Sequence, residues 1–263
     1  MSFSPFIGSG AYLGWSILNR NLSAQKGRLS NSPDTLREQL YFSEKSKKTN
    51  NIDDLLSDYR MLRFALTSFG LEGDISNKAF IKKVMTSDLN DNRSFANRLG
   101  DKRYAELAKE LSGLSRNEGI SLEVRNQISN RYVDKKFETL VGEQDNNLRL
   151  ALSGRAEISL IASSTSSEST KWYLTLASKP LKEILLGAFG FDKSFGKLPL
   201  DRQISDLKVK MQKTFGCSNI EIFKDGDNIE KLMKNFLLRR QLEEVKSGIS
   251  DPYATALSIL SRR

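Results

Sequence analysis

The densest group of polar side chains that could do chemistry is the run Gly-Glu-Gln-Asp-Asn-Asn at residues 142–147, followed by Arg149. Glu143 and Asp145 are carboxylates, but side chains two residues apart do not share a helix face, so they do not form a ready acid–base pair. The pattern favours an N-cap at a break between two helices. Two alternatives stay open: a partner-binding corner made of Glu143, Gln144, Asp145 and Arg149, or a catalytic Glu143.

Two other short motifs resemble ligand loops but lack the required context. Gly8 to Gly10, with Gly14, has the glycines of a dinucleotide loop, but no strand precedes it. Asp225 to Asp227 lacks the ligand spacing of a calcium loop. Asp227 and Glu230 have the spacing of a capping box, so we expect a turn followed by a helix start.

The composition excludes several kinds of active site. The chain of 263 residues contains no histidine, which removes the usual general base and the commonest transition-metal ligand. Its one cysteine, Cys217, can form neither an internal disulfide nor a zinc cluster, and we expect it to pack as a small apolar residue. We therefore predict no catalytic residue, no cofactor and no metal.

The charge suggests nucleic acid at first, because 41 basic and 32 acidic residues give a net charge of +9. The basic residues are spread along the chain as pairs, and most are interleaved with acids, for example at 82–83, 135–136 and 239–240. This pattern is typical of solvated helix faces, so nucleic acid is not the partner that we expect.

No stretch of the chain reaches the roughly 18 apolar residues of a membrane span. Residues 1–10 lack the basic start and apolar segment of a cleavable signal peptide. We expect no membrane insertion and a cytoplasmic location, although export by a route that reads an uncleaved terminus stays open.

The elements that must position these residues are helices. Apolar residues recur at three- and four-residue spacing along most of the chain, and only 220–223 hints at a strand. A small residue followed by Phe-Gly occurs four times, with phenylalanines at 69, 189, 195 and 215, whereas chance predicts roughly one Phe-Gly pair. At least two copies close an apolar helical pattern, so we expect Gly70, Gly190 and Gly216 to end helices with a positive φ, and Phe69, Phe189 and Phe215 to be buried.

We predict an all-α fold, a bundle-like array of many helices that can divide into two lobes, without substantial sheet. The polar run 163–170 is the candidate lobe boundary. The expected parts are an N-terminal arm with a helix (1–50), lobe one (51–162), lobe two (171–246) and an amphipathic tail (247–263). The tail begins at Asp251-Pro252 and carries Tyr253, Leu257 and Leu260 on its apolar face. Residues 62–72 and 182–192 align without gaps, which indicates either a duplicated helix–turn unit or reuse of one cap.

Several stretches resemble one protein family. They are Ile75–Val84, Phe95–Tyr104, Val141–Leu152, Lys171-Trp172, Pro180-Leu181, the Phe-Gly pairs at 189 and 195, and Phe236–Arg239. Together they resemble the alphaproteobacterial domain of unknown function 1217, over about residues 41–241. The chain departs from that pattern at 111–114, where Leu-Ser-Gly-Leu stands in place of the aromatic Phe-Gly-Phe.

The resemblance implies an all-helical protein without an assigned activity or catalytic residues, often encoded near flagellar genes. We therefore expect a non-catalytic protein that binds a flagellar component, in assembly, regulation or structure, and that is cytoplasmic or flagellum-associated. The expected interaction residues are those of the 143–149 corner and the tail. The alternatives are a basic nucleic-acid-binding protein and a peptidoglycan-cleaving enzyme that uses Glu143. The oligomeric state is not predicted.

Overall fold

A computed structural model describes residues 3–8 and 10–247, without the side chains of Lys193, Lys246 and Ser247. These residues contain no β-strand, which confirms the all-α prediction. The α-helices of this part of the chain are α1 (Ala11–Ser30), α2 (Pro33–Ser46), α3 (Ile52–Ser57), α4 (Tyr59–Ser68), α5 (Lys78–Met85), α6 (Phe95–Arg98), α7 (Arg103–Glu110), α8 (Ser112–Ser115), α9 (Leu122–Gln144), α10 (Asn146–Ser163), α11 (Glu168–Ala177), α12 (Lys179–Phe189), α13 (Leu200–Phe215) and α14 (Gly226–Ser247). Short 3-10 helices lie at Glu72–Asp74, Lys193–Lys197 and Ile220–Lys224.

Residues 220–223, which only hint at a strand in the sequence, belong to the third 3-10 helix. The Asn219 side chain accepts a hydrogen bond from the Glu221 amide and starts this turn. Ile220 and Phe223 are fully buried. An apolar run this short fits either conformation, so only its packing decides between them.

Apolar residues recur at three- and four-residue spacing from Ile52 to Phe69, and this pattern spans two helices, α3 and α4. Asp58 has an extended backbone, and its Oδ1 accepts hydrogen bonds from the amides of Arg60 (3.0 Å) and Met61 (3.1 Å), so it is the N-cap of α4. Its Oδ2 accepts a hydrogen bond from the Tyr41 hydroxyl of α2. The apolar face continues across this break, and for that reason the pattern alone did not show it.

The chain folds as two compact units. Within the described residues, unit 1 comprises residues 3–6 and 20–140, and unit 2 comprises residues 7–8, 10–19 and 141–247. The divisions therefore fall within α1 and within α9, whereas the polar run 163–170 lies inside unit 2, from the last residue of α10 to the first turn of α11.

Each unit has its own aromatic core. In unit 1, the rings of Phe42, Phe64 and Tyr132 stack, with centroid distances of 4.4 and 3.9 Å between successive rings. In unit 2, α12 packs against α10 and α14, and Trp172 and Phe236 are fully buried. Tyr173, next to Trp172 in sequence, is 45% exposed.

Three Phe-Gly stops have the expected backbone, with φ values of +67° at Gly70, +70° at Gly190 and +73° at Gly216. At Gly70 and Gly190 the chain makes the same two hydrogen bonds. The glycine amide reaches the carbonyl three residues back, and the following amide reaches the carbonyl five residues back, in each copy of the near-repeat. The Gly216 amide instead donates to the Gln212 carbonyl, four residues back, and the Gly216 carbonyl accepts a hydrogen bond from the Gln212 side chain.

Phe69 and Phe189 are buried as predicted. Phe215 is only half-buried, which corrects the third expectation: its ring packs edge-on against Phe189 and Phe223 but keeps one side near the surface, beneath Lys231. Cys217 is also half-buried rather than enclosed. At the fourth copy, Phe195 is buried, but its glycine lies within a 3-10 helix and does not end an α-helix.

Candidate functional site

The predicted corner is the junction of α9 and α10 in unit 2. Asp145 has an extended backbone, and its Oδ1 accepts hydrogen bonds from the amides of Asn147 (2.8 Å) and Leu148 (3.1 Å). It is therefore the N-cap of α10, and its negative charge lies at the positive end of that helix. The prediction of a second N-cap at a helix break is confirmed, and Asp145 is the residue that makes it.

Gly142 lies within the last turn of α9, which continues to Gln144. Its role is steric. A Cβ at this position would collide with the aliphatic part of Arg149, which lies over the glycine. The Arg149 guanidinium donates two hydrogen bonds to Asn146 Oδ1, at 3.0 and 2.7 Å. The glycine thus lets Arg149 fold back across the helix junction.

Glu143 and Gln144 are exposed on the last turn of α9. The structure therefore brings together Asp145 and Arg149 as parts of the junction and leaves the side chains of Glu143 and Gln144 at the surface beside it. The two carboxylates therefore differ in role: Asp145 is a helix cap, and Glu143 is a charged group at the surface.

A contact that sequence reasoning missed joins this corner to α14. Asn147 Nδ2 donates a hydrogen bond of 3.0 Å to Glu244 Oε1, across 97 residues of sequence. No local pattern could show this pairing. It places the last turns of α14, which lead into the tail, next to the corner.

The outer face of α14 carries three exposed apolar side chains near this contact. Leu238, Leu242 and Val245 are 38%, 59% and 56% exposed, and their spacing places them on one side of the helix. Phe236 and Leu237, which precede them in sequence, are fully buried. We call Leu238, Leu242 and Val245 the α14 stripe. The spacing of these three residues in the sequence already predicts that they share one face of a helix.

The predicted tail residues Tyr253, Leu257 and Leu260 lie outside the described residues. Their predicted role as an interaction surface therefore stays a prediction.

Two polar clusters elsewhere in unit 2 hold helices together. Lys171 of α11 is 1% exposed, and its ammonium donates to the Ala162 carbonyl (3.1 Å) at the end of α10 and to Glu221 Oε1 (2.6 Å). The hydrogen bond from Lys171, together with one from Lys224, lowers the pKa of Glu221 to about 2. Sequence reasoning gave no role to Lys171, because a buried lysine cannot be told from a surface one by spacing.

The second cluster corrects the capping-box prediction. Glu230 does not cap α14: its carboxylate accepts hydrogen bonds from the Trp15 indole (2.8 Å) and from Asn19 Nδ2 (3.2 Å), and it forms an ion pair with Arg155 (3.3 Å). The Asp227 amide instead donates to the Asp225 carboxylate. Glu230 thus attaches the first half of α1 to the rest of unit 2, a long-range contact that outcompetes the local cap.

The described residues contain no group of three or more histidine, cysteine, aspartate or glutamate side chains placed to hold a metal ion. Within the same ranges, no helix combines the length and the apolar character that crossing a membrane requires.

Comparison with known proteins gives two matches that bear on this fold. A family model described as "Protein of unknown function (DUF1217)" matches residues 68–229, which is more than half of the chain. The chain belongs to the DUF1217 family. The resemblance inferred from the sequence stretches is thereby confirmed. No protein in a collection of curated proteins matches significantly.

A solved structure supports the same fold. The crystal structure of a protein from Agrobacterium tumefaciens, determined as a structural genomics target, superimposes with a TM-score of 0.73 at 27% sequence identity. The match covers 91% of this DUF1217 chain and 96% of the other. The fold described for this chain is therefore shared, along nearly its whole length, with an experimentally determined structure.

The 101–104 stretch, one of those that carried the family resemblance, has a structural role in this DUF1217 protein. Arg103 donates a hydrogen bond to the Gly70 carbonyl (2.5 Å), and its guanidinium pairs with Asp101. The Tyr104 hydroxyl donates a hydrogen bond to Asp74 Oδ2 (2.5 Å). The pKa of Tyr104 is raised to about 12, mainly because its side chain is partly buried and also because of the hydrogen bond to the Asp74 carboxylate. The motif therefore attaches the start of α7 to the turn after α4.

Proposed function

We propose that this DUF1217 protein is a non-catalytic protein that binds a flagellar component through the corner at Glu143–Arg149 and the adjoining α14 stripe. The observation that carries the proposal is the Asn147–Glu244 hydrogen bond, which attaches the exposed polar corner to the last turns of α14, the same turns on which Leu238, Leu242 and Val245 are exposed. An apolar centre with a polar margin is the usual composition of a protein–protein interface.

The flagellar part of the proposal has a different basis. It rests on the association of the family with flagellar genes, which is an argument from genetic neighbourhood and not from side-chain chemistry. The experiment therefore needs one readout for binding by this face and another for motility.

The test compares three variants in a flagellated bacterium that encodes the protein, each expressed in a deletion strain. Leu242→Asp places a charge in the stripe, and Glu143→Lys reverses the charge of the corner. Leu160→Asp makes the same change as the first variant on α10, where Leu160 is 74% exposed and lies away from the stripe in sequence. All three positions are exposed, so each change should alter stability by no more than about 0.5 kcal/mol.

We expect Leu242→Asp and Glu143→Lys to lose co-purification with flagellar components and to reduce swimming. Leu160→Asp should keep both. Wild-type co-purification and swimming for both site variants would contradict the proposed face. Loss of co-purification with unchanged swimming would support the face but contradict the flagellar role.

A further inference from the structure

Three helices of unit 2 each bring one basic side chain to the segment after α12, residues 190–196. The three side chains are Lys182 of α12, Lys210 of α13 and Arg239 of α14. The α12 ammonium lies 3.8 Å from the place that a Cβ on Gly196 would take, and the α13 ammonium lies 5.5 Å from the centroid of the Phe191 ring. The α14 guanidinium lies 2.5 Å from the place of a Cβ on Gly190. Packing of the three helices thus gathers cations that are far apart in sequence.

Among the described residues, these three cations form no ion pair, because the nearby carboxylates in the sequence have other partners. Glu183 pairs with Arg240 (2.9 Å), and Asp206 pairs with Arg202 (2.9 Å). Asp192 caps the 3-10 helix of the segment, since its Oδ1 accepts hydrogen bonds from two of its amides. The end of α12 adds only about half a negative charge. The segment therefore lies in a local excess of positive charge.

Apolar side chains lie among these cations. Phe191 is half-buried and stacks on the buried Phe195, with 3.9 Å between the ring centroids. Directly after the segment, Leu198 and Leu200 are 40% and 43% exposed. Gln203 of α13 donates a hydrogen bond to the Leu198 carbonyl (2.6 Å), which holds this part of the chain on α13. The surface thus combines exposed apolar groups with unpaired positive charge.

This combination fits an acidic segment of another protein. Its carboxylates can pair with the three cations, and its apolar side chains can cover Leu198 and Leu200, which matches the surface in both charge and polarity. A single-stranded nucleic acid would instead need free aromatic rings on which its bases stack. Phe191 is already stacked on Phe195 and contacted by Lys210, so it is a poor platform for a base.

We propose that residues 190–200, with Lys182, Lys210 and Arg239, form a surface that binds an acidic, partly apolar segment of a partner protein. The surface shares no residue with the corner at Glu143–Arg149 or with the α14 stripe. The proposal therefore does not depend on the proposed function, and either can fail while the other holds.

The first experiment measures binding of a defined probe to the full chain. The probe is a fluorescent peptide in which glutamate and aspartate alternate with leucine and phenylalanine, and the control peptide has an amide in place of each carboxylate. Fluorescence anisotropy at physiological salt gives both dissociation constants. We expect the acidic peptide to bind at least about tenfold more tightly, because only its carboxylates can pair with the cations. Equal affinities, or no binding of the acidic peptide, would overturn the proposal.

Charge-reversal variants locate the binding. Lys210→Glu with Arg239→Glu should weaken the acidic peptide at least about tenfold. The control, Lys47→Glu with Lys48→Glu, makes the same change in net charge at two exposed lysines of unit 1. It should change the affinity less than about twofold, because salt screens charges that do not contact the peptide. Equal weakening in both would overturn the proposal. If the double variant does not fold, the exposed Lys210→Glu alone should still weaken binding, and an unchanged affinity would contradict the surface.

Two further measurements separate the apolar contribution and the other occupants. Leu198→Ser with Leu200→Ser should weaken the acidic peptide at least about threefold, and an unchanged affinity would contradict the partly apolar segment. A thymidine oligonucleotide should displace the probe only at concentrations at least about tenfold above those of the unlabelled peptide. Displacement at equal concentrations would assign the surface to nucleic acid instead. A dimer that is lost in the variant with Lys210→Glu and Arg239→Glu, seen by analytical ultracentrifugation, would assign it to a second copy of the chain.

Discussion

At the scale of single residues, the three left-handed glycines differ in what surrounds them. A Cβ at Gly216 would meet nothing within 4 Å, whereas at Gly70 and Gly190 it would approach the guanidinium of an arginine, at 3.1 Å from Arg103 and 2.5 Å from Arg239. The backbone strain of an L-residue is common to all three positions. Contact with an arginine adds to this strain only at Gly70 and Gly190.

We therefore expect Gly216→Ala to lower the free energy of unfolding by about 1 kcal/mol, the cost of left-handed strain alone. Gly70→Ala and Gly190→Ala should cost at least as much, with Gly190→Ala the largest because its neighbour is closest. Urea denaturation measures the three values. A neutral Gly216→Ala would contradict the strain argument, and equal costs at all positions would show that the arginines move aside freely.

At the scale of the helices, their ends are held by specific side chains, and several are held by residues distant in sequence. Asp58 and Asp145 cap α4 and α10 locally. Lys171 instead joins the start of α11 to the end of α10 and to the 3-10 helix at Ile220–Lys224. Local caps define where a helix begins, and long-range bonds define which helices pack together.

Asp145→Ala should lower the stability of the protein by about 1 kcal/mol, because two amides at the start of α10 lose their acceptor. Asp145→Asn keeps a cap oxygen and should stay near wild type, and the exposed Glu143→Ala should change stability by less than about 0.5 kcal/mol. Thermal melting of the three variants gives the comparison. If Asp145→Ala melted like Glu143→Ala, the carboxylate would not be acting as a cap.

The Lys171–Glu221 pair makes a pH-dependent contribution. The pKa of Glu221 falls from an ordinary 4.5 to about 2 on folding, so its stabilisation is present above about pH 4.5 and is lost as the pH falls toward 2. Glu221→Gln should therefore be less stable than wild type at pH 7, and the difference in urea midpoint should shrink between pH 4.5 and pH 2. A difference that stays constant with pH would show that the charge of Glu221 does not contribute.

At the scale of the whole molecule, the net charge is +9, and several of the 41 basic residues form local ion pairs. Arg131 pairs with Glu106 and Glu110 in unit 1, and Arg240 pairs with Glu183 and Glu243 in unit 2. A basic side chain that is already paired with a carboxylate contributes less free energy to the binding of a nucleic-acid phosphate, because the carboxylate partly neutralises its charge. We therefore expect the charge excess to give only non-specific binding of nucleic acid.

Duplex DNA should bind no more tightly than the roughly 10⁻⁴–10⁻⁶ M range of non-specific association at physiological salt. Fluorescence anisotropy over a salt series measures both the affinity and its salt dependence. A submicromolar dissociation constant with a steep salt dependence would favour the alternative of a nucleic-acid-binding protein over the proposed protein-binding face.

Much of the architecture was readable from the sequence alone. The helical periodicity, the three glycine stops, the N-cap at the 142–147 break and the buried Phe69 and Phe189 all depend on interactions within a few residues or on apolar spacing. Such features are local, so their physical causes are present in the sequence pattern itself. The family resemblance also came from short stretches of this kind.

Only the tertiary structure decided the features that depend on distant partners. Glu230 has the spacing of a capping residue, yet it binds Trp15, more than 200 residues away, because a carboxylate takes the strongest available donors. Lys171 is buried because Ala162 and Glu221 satisfy its charge, and the α14 stripe is exposed because Phe236 and Leu237 occupy the core. Periodicity shows that a helix has an apolar face, but packing decides which of its apolar residues the core takes and which are left at the surface.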